Sequence, residues 1–454
     1  MPPQIASAIT LAFIVWLLAR DRALAKDCSR SLWLPVIWLG IIGSRPVTSW
    51  LGMVPANADS EGSPYDRLVY IILMVSAFVV LQQRKVSWPD FFAKNKWVFL
   101  LLIYYGISTL WADDPFVSFK RWVKEIGNVL MVLIVLTEEN PANAVKRLLF
   151  RCAVLLIPTS ILLIRYYPDL GRYYNPFIWT YSYGGVTTDK NALGMTLYVC
   201  TIGLYWGIFD LWKKRSEHGK EVAAYFILMA MCVWLFTQAH SSTALGCSII
   251  CAGLLSAMRI AGLRNALQRA GMSGLIVFTL IALLLNVVFN PVQDVVEGLG
   301  RNMTLTGRTD IWREALKIKI DPLIGTGYFS FWQSQRAVDV STALGFFFTI
   351  KEAHDGYLEV YLNSGLIGLG LLCVVLLSSV KKIISTLAMD DSYTTFRLAV
   401  VVGVMFYNVT ESAFSGLVLL WVMLLLVVME YPQALQSNAE PEPETDLGDD
   451  TQAA

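Results

Sequence analysis

The chain has 454 residues, of which 56% are hydrophobic and only 16% are charged, whereas soluble domains carry about 25% charged residues. This composition excludes a soluble enzyme of two or three domains. The net charge is only +1 at pH 7. Without an excess of positive charge, nucleic acid is not expected as a partner.

Apolar runs along most of the chain predict membrane-spanning helices, each of which needs roughly 20 apolar residues to cross a bilayer core. The runs do not alternate as barrel strands do, as the continuous apolar stretch 71–75 shows. We therefore predict an all-α polytopic integral membrane protein with about 12–13 transmembrane helices. In chain order, the candidate spans are 5–19, 32–43, 67–81, 97–111, 125–136, 148–164, 191–209, 222–239, 243–258, 272–290, 357–380, 397–409 and 413–431.

The distribution of Lys and Arg predicts the orientation of these spans. Loops on one side, beginning with 20–30, are richer in Lys and Arg than loops on the other side, once the long segment 291–356 is left out. Short loops rich in Lys and Arg remain in the cytoplasm, and the rule does not apply to long segments. The first set is therefore expected in the cytoplasm, and 291–356 on the outer face.

These predictions divide the chain into four regions. Residues 1–290 hold transmembrane helices with short loops, 291–356 form one long periplasmic segment, and 357–431 hold the C-terminal transmembrane helices. Residues 432–454 carry six acidic residues and no Lys or Arg, which is typical of a disordered tail. We expect this acidic tail in the cytoplasm.

The long outer segment contains a short amphipathic helix that carries a candidate site residue. Apolar residues at 311, 312, 315, 316 and 318 predict the helix, and Thr309 suits its N-cap. Arg308 is then expected beside the helix N-terminus, where backbone N–H groups favour an anion. Its planar guanidinium suits phosphate. The alternative is an ordinary solvated loop arginine.

His354 is the only histidine of this outer segment and directly precedes the next span. A neutral imidazole at that position can accept a proton from a hydroxyl group. The alternative is a histidine that caps the helix or lies at the membrane interface.

Further cations and aromatic residues on the same face are candidates for substrate binding. Aromatic side chains beside amides and cations suit sugar rings joined to phosphate, whereas snorkelling cations and an interfacial aromatic belt are the alternative. The candidate substrate-binding residues are Arg121, Lys124, Arg165, Arg172, Lys190 and Asn191.

Motifs for nucleotide and metal binding are absent from the sequence. There is no Walker A, GxGxxG, HExxH or Asp-x-Asp pattern, and the three histidines do not cluster with cysteines. We therefore predict no metal site and no cofactor.

Several short motifs together resemble a known family. Gly-Arg-Thr-Asp-Ile-Trp at 307–312, Pro-Leu-Ile-Gly-Thr-Gly-Tyr at 322–328 and His-Asp-Gly-Tyr-Leu at 354–358, followed by Gly365, resemble the signature of the O-antigen ligase/polymerase superfamily. The stretches 190–194, 241–244 and 408–412 are similar to its exopolysaccharide-polymerase-like branch.

The resemblance implies a metal-independent, inverting glycosyltransferase of the bacterial inner membrane, active on the periplasmic face. Its donor would be a polyprenyl-pyrophosphate-linked glycan. Its acceptor would be the next repeat unit in a polymerase, which we favour, or lipid A-core in an O-antigen ligase. Membrane lipids and a chain-length regulator or secretion complex are the further partners that it implies.

The resemblance also implies roles for two residues. Arg308 would bind the pyrophosphate, and His354 would be the essential histidine, acting as a base or as a phosphate ligand. Many relatives place an arginine shortly before the Asn of the 190–194 motif, whereas 183–189 contains none. Arg165, Arg172 or Lys190 could substitute for it.

A competing class is a transporter or flippase of lipid-linked sugars, and a third is a pure scaffold. A transport pathway is expected to place charges at several depths of the membrane, but the interiors of the predicted spans hold almost none. The enzyme is therefore favoured.

Overall fold

A computed structural model describes residues 1–53, 63–175, 180–212, 214–271, 306–387 and 392–431. The predicted span 272–290, the first part of segment 291–356 and the tail 432–454 lie outside the described residues. The α-helices, in chain order, are α1 (Pro3–Leu24), α2 (Trp33–Ile42), α3 (Val47–Trp50), α4 (Pro64–Gln83), α5 (Trp88–Lys94), α6 (Lys96–Ser108), α7 (Pro115–Leu136), α8 (Pro141–Tyr166), α9 (Pro168–Gly171), α10 (Lys190–Trp212), α11 (Gly219–Ala239), α12 (Ser242–Ala257), α13 (Ala261–Gly271), α14 (Thr306–Lys317), α15 (Gln335–Ala343), α16 (Gly356–Thr386), α17 (Ser392–Tyr407) and α18 (Leu419–Val428).

Short elements complete the described fold. Strands β1 (Arg172–Asn175) and β2 (Thr180–Tyr183) pair antiparallel as a hairpin, with Arg172 opposite Tyr183. Single 3-10 turns cover Arg30–Leu32, Thr109–Trp111 and Phe331–Gln333.

The prediction of an all-α polytopic membrane protein is confirmed, and a helix occupies every predicted span within the described residues. Six of these helices are long and apolar enough to cross a membrane, or seven if α12 and α13, bent by 102°, form one broken span. Four further apolar helices have only 10–17 residues. The predicted number of about 12–13 spans thus includes helices shorter than the roughly 20 residues that a bilayer core requires.

Burial separates inner helices from peripheral ones. In α18 every residue is buried, as expected for a helix that is apolar on all sides, and 78% of the apolar window of α8 is buried. The same fraction is 11% in α1 and 22% in α4, where Ile71, Ile72 and Val75 are exposed. The peripheral helices therefore present the apolar surface that lipid would cover.

Helix α16 is broken at Gly365, whose φ of 63° and ψ of −165° are not helical. This conformation is essentially restricted to glycine. The break leaves backbone groups on both sides without helical partners, and the segment 322–327 supplies replacements. These bonds run from Thr326 N to Leu362 O (3.1 Å), from Gly327 N to Asn363 O (2.8 Å), from Leu366 N to Pro322 O (2.9 Å) and from Ile367 N to Leu323 O (3.1 Å).

The motif at 322–328 and Gly365 are therefore one structural unit. A Cβ at Gly365 would lie 2.2 Å from the carbonyl oxygen of Leu323, and a Cβ at Gly325 would lie 2.6 Å from the carbonyl carbon of Asn363. The unit fixes the segment 306–355 against the first turns of α16, and His354 lies directly before that helix.

The structure places the start of the amphipathic helix differently from the sequence prediction. Within the described residues helix α14 covers Thr306–Lys317, so Arg308 and Thr309 lie inside the helix and Thr309 is not its N-cap. Glycine usually marks a helix boundary, but here Gly307 is accommodated within the helix. Helix α15 was not predicted.

Replacing Gly365 with alanine should destabilise the protein, because alanine is strained at this φ and its Cβ would overlap Leu323 O. We expect a loss of at least about 1–2 kcal/mol in the free energy of unfolding, measured by thermal unfolding in detergent. Gly370→Ala is the matched control, since nothing lies within 4 Å of a Cβ there. Equal stability of the two variants would contradict the structural role of the break.

Candidate active site

Side chains from distant parts of the chain meet at the buried carboxylate of Glu411, in the loop between α17 and α18. Its side chain is 7% exposed. Nη2 of Arg308 donates to Oε1 at 2.8 Å, and Nδ1 of His354 lies 3.3 Å from Oε2. Nδ2 of Asn191 is 3.4 Å from the same Oε2. These partners compensate for the cost of burying a charge.

Helix α14 holds Arg308 beside this carboxylate. A second guanidinium nitrogen, Nη1, donates to the carbonyl oxygen of Thr410. One turn along the helix, Nε1 of Trp312 donates to Ala353 O at 2.7 Å. The arginine motif is thereby tied directly to the residue before His354.

The three residues of the His-Asp-Gly sequence at 354–356 have different structural roles. His354 adopts a left-handed φ of 53°, which is unusual for any residue other than glycine. Oδ1 of Asp355 caps α16 by accepting hydrogen bonds from the N–H groups of Tyr357 and Leu358, both at 2.9 Å. Gly356 allows the loop of Asn408 to approach, since a Cβ there would lie 2.0 Å from Asn408 Oδ1.

The loop 408–412 is fixed by its own polar side chains. The side-chain Oδ1 of Asn408 accepts a hydrogen bond from Ala413 N at 2.7 Å. Its backbone carbonyl oxygen accepts one from Gly356 N at 2.8 Å. Oγ1 of Thr410 lies 2.8 Å from Oγ1 of Thr243. The stretches 190–194, 241–244, 307–312, 354–358 and 408–412 therefore converge on one site.

His354 and Glu411 form a charged pair. Burial by itself lowers the pKa of His354, but hydrogen bonds and charges from Glu352 and Glu411 outweigh it and raise the pKa to about 10. Burial by itself raises the pKa of Glu411, but His354 and Arg308 hold it below its ordinary value. Near pH 7 the site thus contains an imidazolium and a guanidinium beside the ionised carboxylate of Glu411.

Among the described residues, Glu352, His354 and Glu411 form a group that could hold a metal ion. Their ligand atoms lie within 4.8 Å of one another, although no metal residues were predicted. Metal binding requires a deprotonated histidine, whereas Nδ1 of His354 is hydrogen-bonded to Glu352 at 3.0 Å and to Glu411. The ion pair with Arg308 competes for the same carboxylate.

A cavity of about 280 Å³ adjoins the charged cluster and shares Glu352 with it. Arg121 lines this cavity, and its guanidinium donates to Phe329 O and Gln333 Oε1, each at 3.1 Å. Three aromatic side chains form much of the wall, namely Phe329, Trp332 and Phe414.

The structure brings together some of the predicted residues and separates others. Arg308, His354 and Asn191 meet at Glu411, Lys190 precedes Asn191 at the start of α10, and Arg121 lines the cavity. The other three cations lie against aromatic rings: Lys124 over Tyr70 (5.5 Å), Arg165 over Trp234 (4.8 Å) and Arg172 over Tyr183 (5.5 Å).

Of the three cations suggested to replace the missing arginine of 183–189, Lys190 is the one that adjoins the site in sequence. Arg172 donates to the carbonyl oxygen of Ile164 at 2.9 Å and 3.1 Å, which fits a role in fixing the hairpin. An arginine from another part of the chain does contact the stretch 183–189. Arg45 donates to Gly185 O at 3.0 Å and to Thr187 O at 2.8 Å. These bonds to backbone carbonyls indicate that Arg45 stabilises the loop.

Sequence reasoning missed the acidic half of the site. Glu411 stood in a recognised motif and Glu352 and Glu359 flanked another, but none was assigned a role. The available signal was an acidic residue at the edge of a long apolar run, because such a residue is expected to find a cationic partner.

Two comparisons with known proteins show what this chain is similar to. The family described as O-Antigen ligase matches residues 223–373, which include Arg308 and His354. The Exopolysaccharide production protein ExoQ of Rhizobium meliloti (strain 1021) is 27% identical over 326 residues, covering 69% of this chain and 70% of that protein. Both matches support an O-antigen ligase/ExoQ-like family, which confirms the predicted resemblance.

The charge of His354 should make the stability of the protein depend on pH. A pKa raised from 6.5 to about 10 means that the stabilisation is fully present below about pH 6.5 and is lost as the pH rises through about 10. We expect the stability advantage of the wild type over His354→Gln to shrink across this range, measured by thermal unfolding in detergent. A constant difference from about pH 6 to pH 10 would contradict the assigned charge.

Proposed function

We propose that this chain is a membrane glycosyltransferase that takes a glycan from a polyprenyl-pyrophosphate carrier and adds it to a growing bacterial surface polysaccharide. The two matches support an O-antigen ligase/polymerase-like role in polysaccharide production. The observation that carries the proposal is the convergence of Arg308, His354 and Asn191 on Glu411, beside a cavity. The reaction would take place on the periplasmic face of the bacterial inner membrane.

The cations of this site suit a pyrophosphate leaving group. Pyrophosphate departs readily when preorganised positive groups hold its developing charge. Arg308 and the imidazolium of His354 are positioned before substrate arrives, because Glu411 and Glu352 hold them by hydrogen bonds. His354 then acts as a ligand of phosphate rather than as a base, and Glu411 is a positioning residue.

Inversion follows from the direction of attack. The oxygen of an acceptor hydroxyl forms a bond to the anomeric carbon on the face opposite the pyrophosphate. The bond from that carbon to the pyrophosphate oxygen breaks, and its electron pair leaves with the polyprenyl pyrophosphate, held by Arg308 and His354. The hydroxyl proton is released to solvent, and no protonation of the leaving group is required.

The acceptor distinguishes a polymerase from a ligase. The name of the relative from Rhizobium meliloti favours exopolysaccharide production, and hence transfer to the next repeat unit. The description of the matching family, O-Antigen ligase, favours lipid A-core as the second candidate. Purified protein supplied with one lipid-linked donor should extend repeat units; transfer to lipid A-core alone would identify a ligase. A flippase would form no glycosidic bond with either acceptor.

Replacing Arg308 tests the pyrophosphate site. Both Arg308→Ala and Arg308→Lys should reduce turnover of the lipid-linked donor at least about tenfold, because lysine keeps the charge but loses the planar fork. Each lost charge-assisted hydrogen bond costs roughly 1.5–3 kcal/mol. Arg313→Lys is the matched control, since Arg313 is 65% exposed on the same helix. Normal turnover of Arg308→Lys would refute a two-point contact with phosphate.

Chelation tests metal independence. The guanidinium of Arg308 and the imidazolium of His354 supply the positive charge that a divalent ion would otherwise provide, so turnover should survive EDTA. Loss of turnover on chelation, with recovery on adding magnesium or manganese, would show instead that Glu352, His354 and Glu411 bind a metal.

A further inference from the structure

The cavity beside the charged cluster contains a second carboxylate, Glu359, which the mechanism above does not use. Glu359 lies in the first turn of α16, is half-buried and lines the cavity together with Glu352. A half-buried carboxylate that faces a cavity next to a reacting centre is a candidate for proton transfer.

Neutral groups fix the orientation of this carboxylate. Oε2 accepts hydrogen bonds from Trp332 Nε1 at 2.7 Å and from Ala353 N at 3.1 Å. Oε1 accepts one from Asn363 Nδ2 at 3.0 Å. Because a carboxylate oxygen can accept about two hydrogen bonds, Oε1 retains a position for one more donor.

Asn363 is itself held in place. Its Oδ1 accepts hydrogen bonds from Ser330 N at 2.9 Å and from Phe331 N at 3.1 Å. Asn363 also stands two residues before the break at Gly365, where its carbonyl oxygen receives Gly327 N. The break in α16 thus fixes the amide that orients Glu359.

The size and the lining residues of the cavity suit a sugar. Ligand pockets usually measure roughly 300–1,000 Å³, so a cavity of about 280 Å³ suits one ring rather than an oligosaccharide. Phe329, Trp332 and Phe414 offer aromatic faces to the C–H groups of a ring, and Arg121 and Ser412 offer polar groups to its hydroxyls.

We propose that this cavity binds the terminal sugar of the acceptor and that Glu359 is the general base for its attacking hydroxyl. The inference rests on the proposed transferase activity. The acceptor oxygen bonds to the anomeric carbon of the donor, whose bond to pyrophosphate breaks with its electron pair. The hydroxyl proton passes to Oε1 of Glu359 and from there to solvent.

The other acidic residues are less suited to this role. Glu411 is engaged by Arg308 and His354, and Glu352 accepts a hydrogen bond from His354 at 3.0 Å. A carboxylate beside a cation is a weaker base. The three hydrogen bonds that Glu359 accepts come from an indole, a backbone amide and a side-chain amide, which are all neutral.

The test compares Glu359→Gln with Glu314→Gln, a control on the partly exposed helix α14, where Glu314 pairs with Lys317. The probe is the lipid-linked repeat unit extracted from the cells that make this protein, with polymer and released polyprenyl pyrophosphate both measured. Because glutamine cannot accept the proton, we expect kcat to fall about 10²–10⁴-fold with the KM of the donor unchanged. Glu314→Gln should keep the wild-type kcat.

Chemical rescue separates a base from a structural residue. Glu359→Asp should be intermediate in kcat, and added formate should restore part of the kcat of Glu359→Ala, since it replaces the missing carboxylate. Wild-type kcat in Glu359→Gln, or failure of formate to restore any turnover, overturns the assignment of Glu359. Inactivity of the wild type with this donor instead refutes the transferase itself, so the two failures are distinguishable.

Discussion

The site depends on one buried carboxylate that must be neutralised. Removing one partner from a buried ion pair leaves an uncompensated charge, which typically costs about 3–5 kcal/mol. Glu411 would become such an uncompensated charge if Arg308 or His354 were removed. These two partners come from segments 103 and 57 residues away in the chain. The electrostatic requirement of one buried carboxylate therefore brings two cations together at the point where, in our proposal, a pyrophosphate binds.

Glycine gives the backbone the freedom to build this arrangement. The break at Gly365 lets the segment 322–327 replace the missing hydrogen bonds of α16, and Gly356 lets the loop of Asn408 pack against the start of that helix. The two contacts hold 306–355 and 408–412 to the same end of α16. Motifs that are separate in the sequence are thus parts of one scaffold.

The sequence predicted those features that depend only on neighbouring residues in the chain. Apolar runs gave the helices, and short motifs gave Arg308, His354 and Asn191. It did not reveal that Glu411 joins them, because that contact depends on how α10, α14, α16 and the loop after α17 pack. It did not reveal the break at Gly365 either, since a non-helical conformation at one residue leaves no periodic signal. Arg165 and Arg172 were predicted to bind substrate because of their charge. In the structure, Arg165 lies over Trp234, and Arg172 lies over Tyr183 and donates to Ile164 O.

Binding of the product tests the central claim, which is that Arg308 and His354 recognise a diphosphate. Purified wild-type protein in detergent would be titrated with polyprenyl pyrophosphate or polyprenyl monophosphate while its thermal stability is followed. The account predicts a larger stabilisation by the diphosphate, and loss of that difference in Arg308→Ala. Equal stabilisation of the wild type by both lipids, or an undiminished response to the diphosphate in Arg308→Ala, would contradict it.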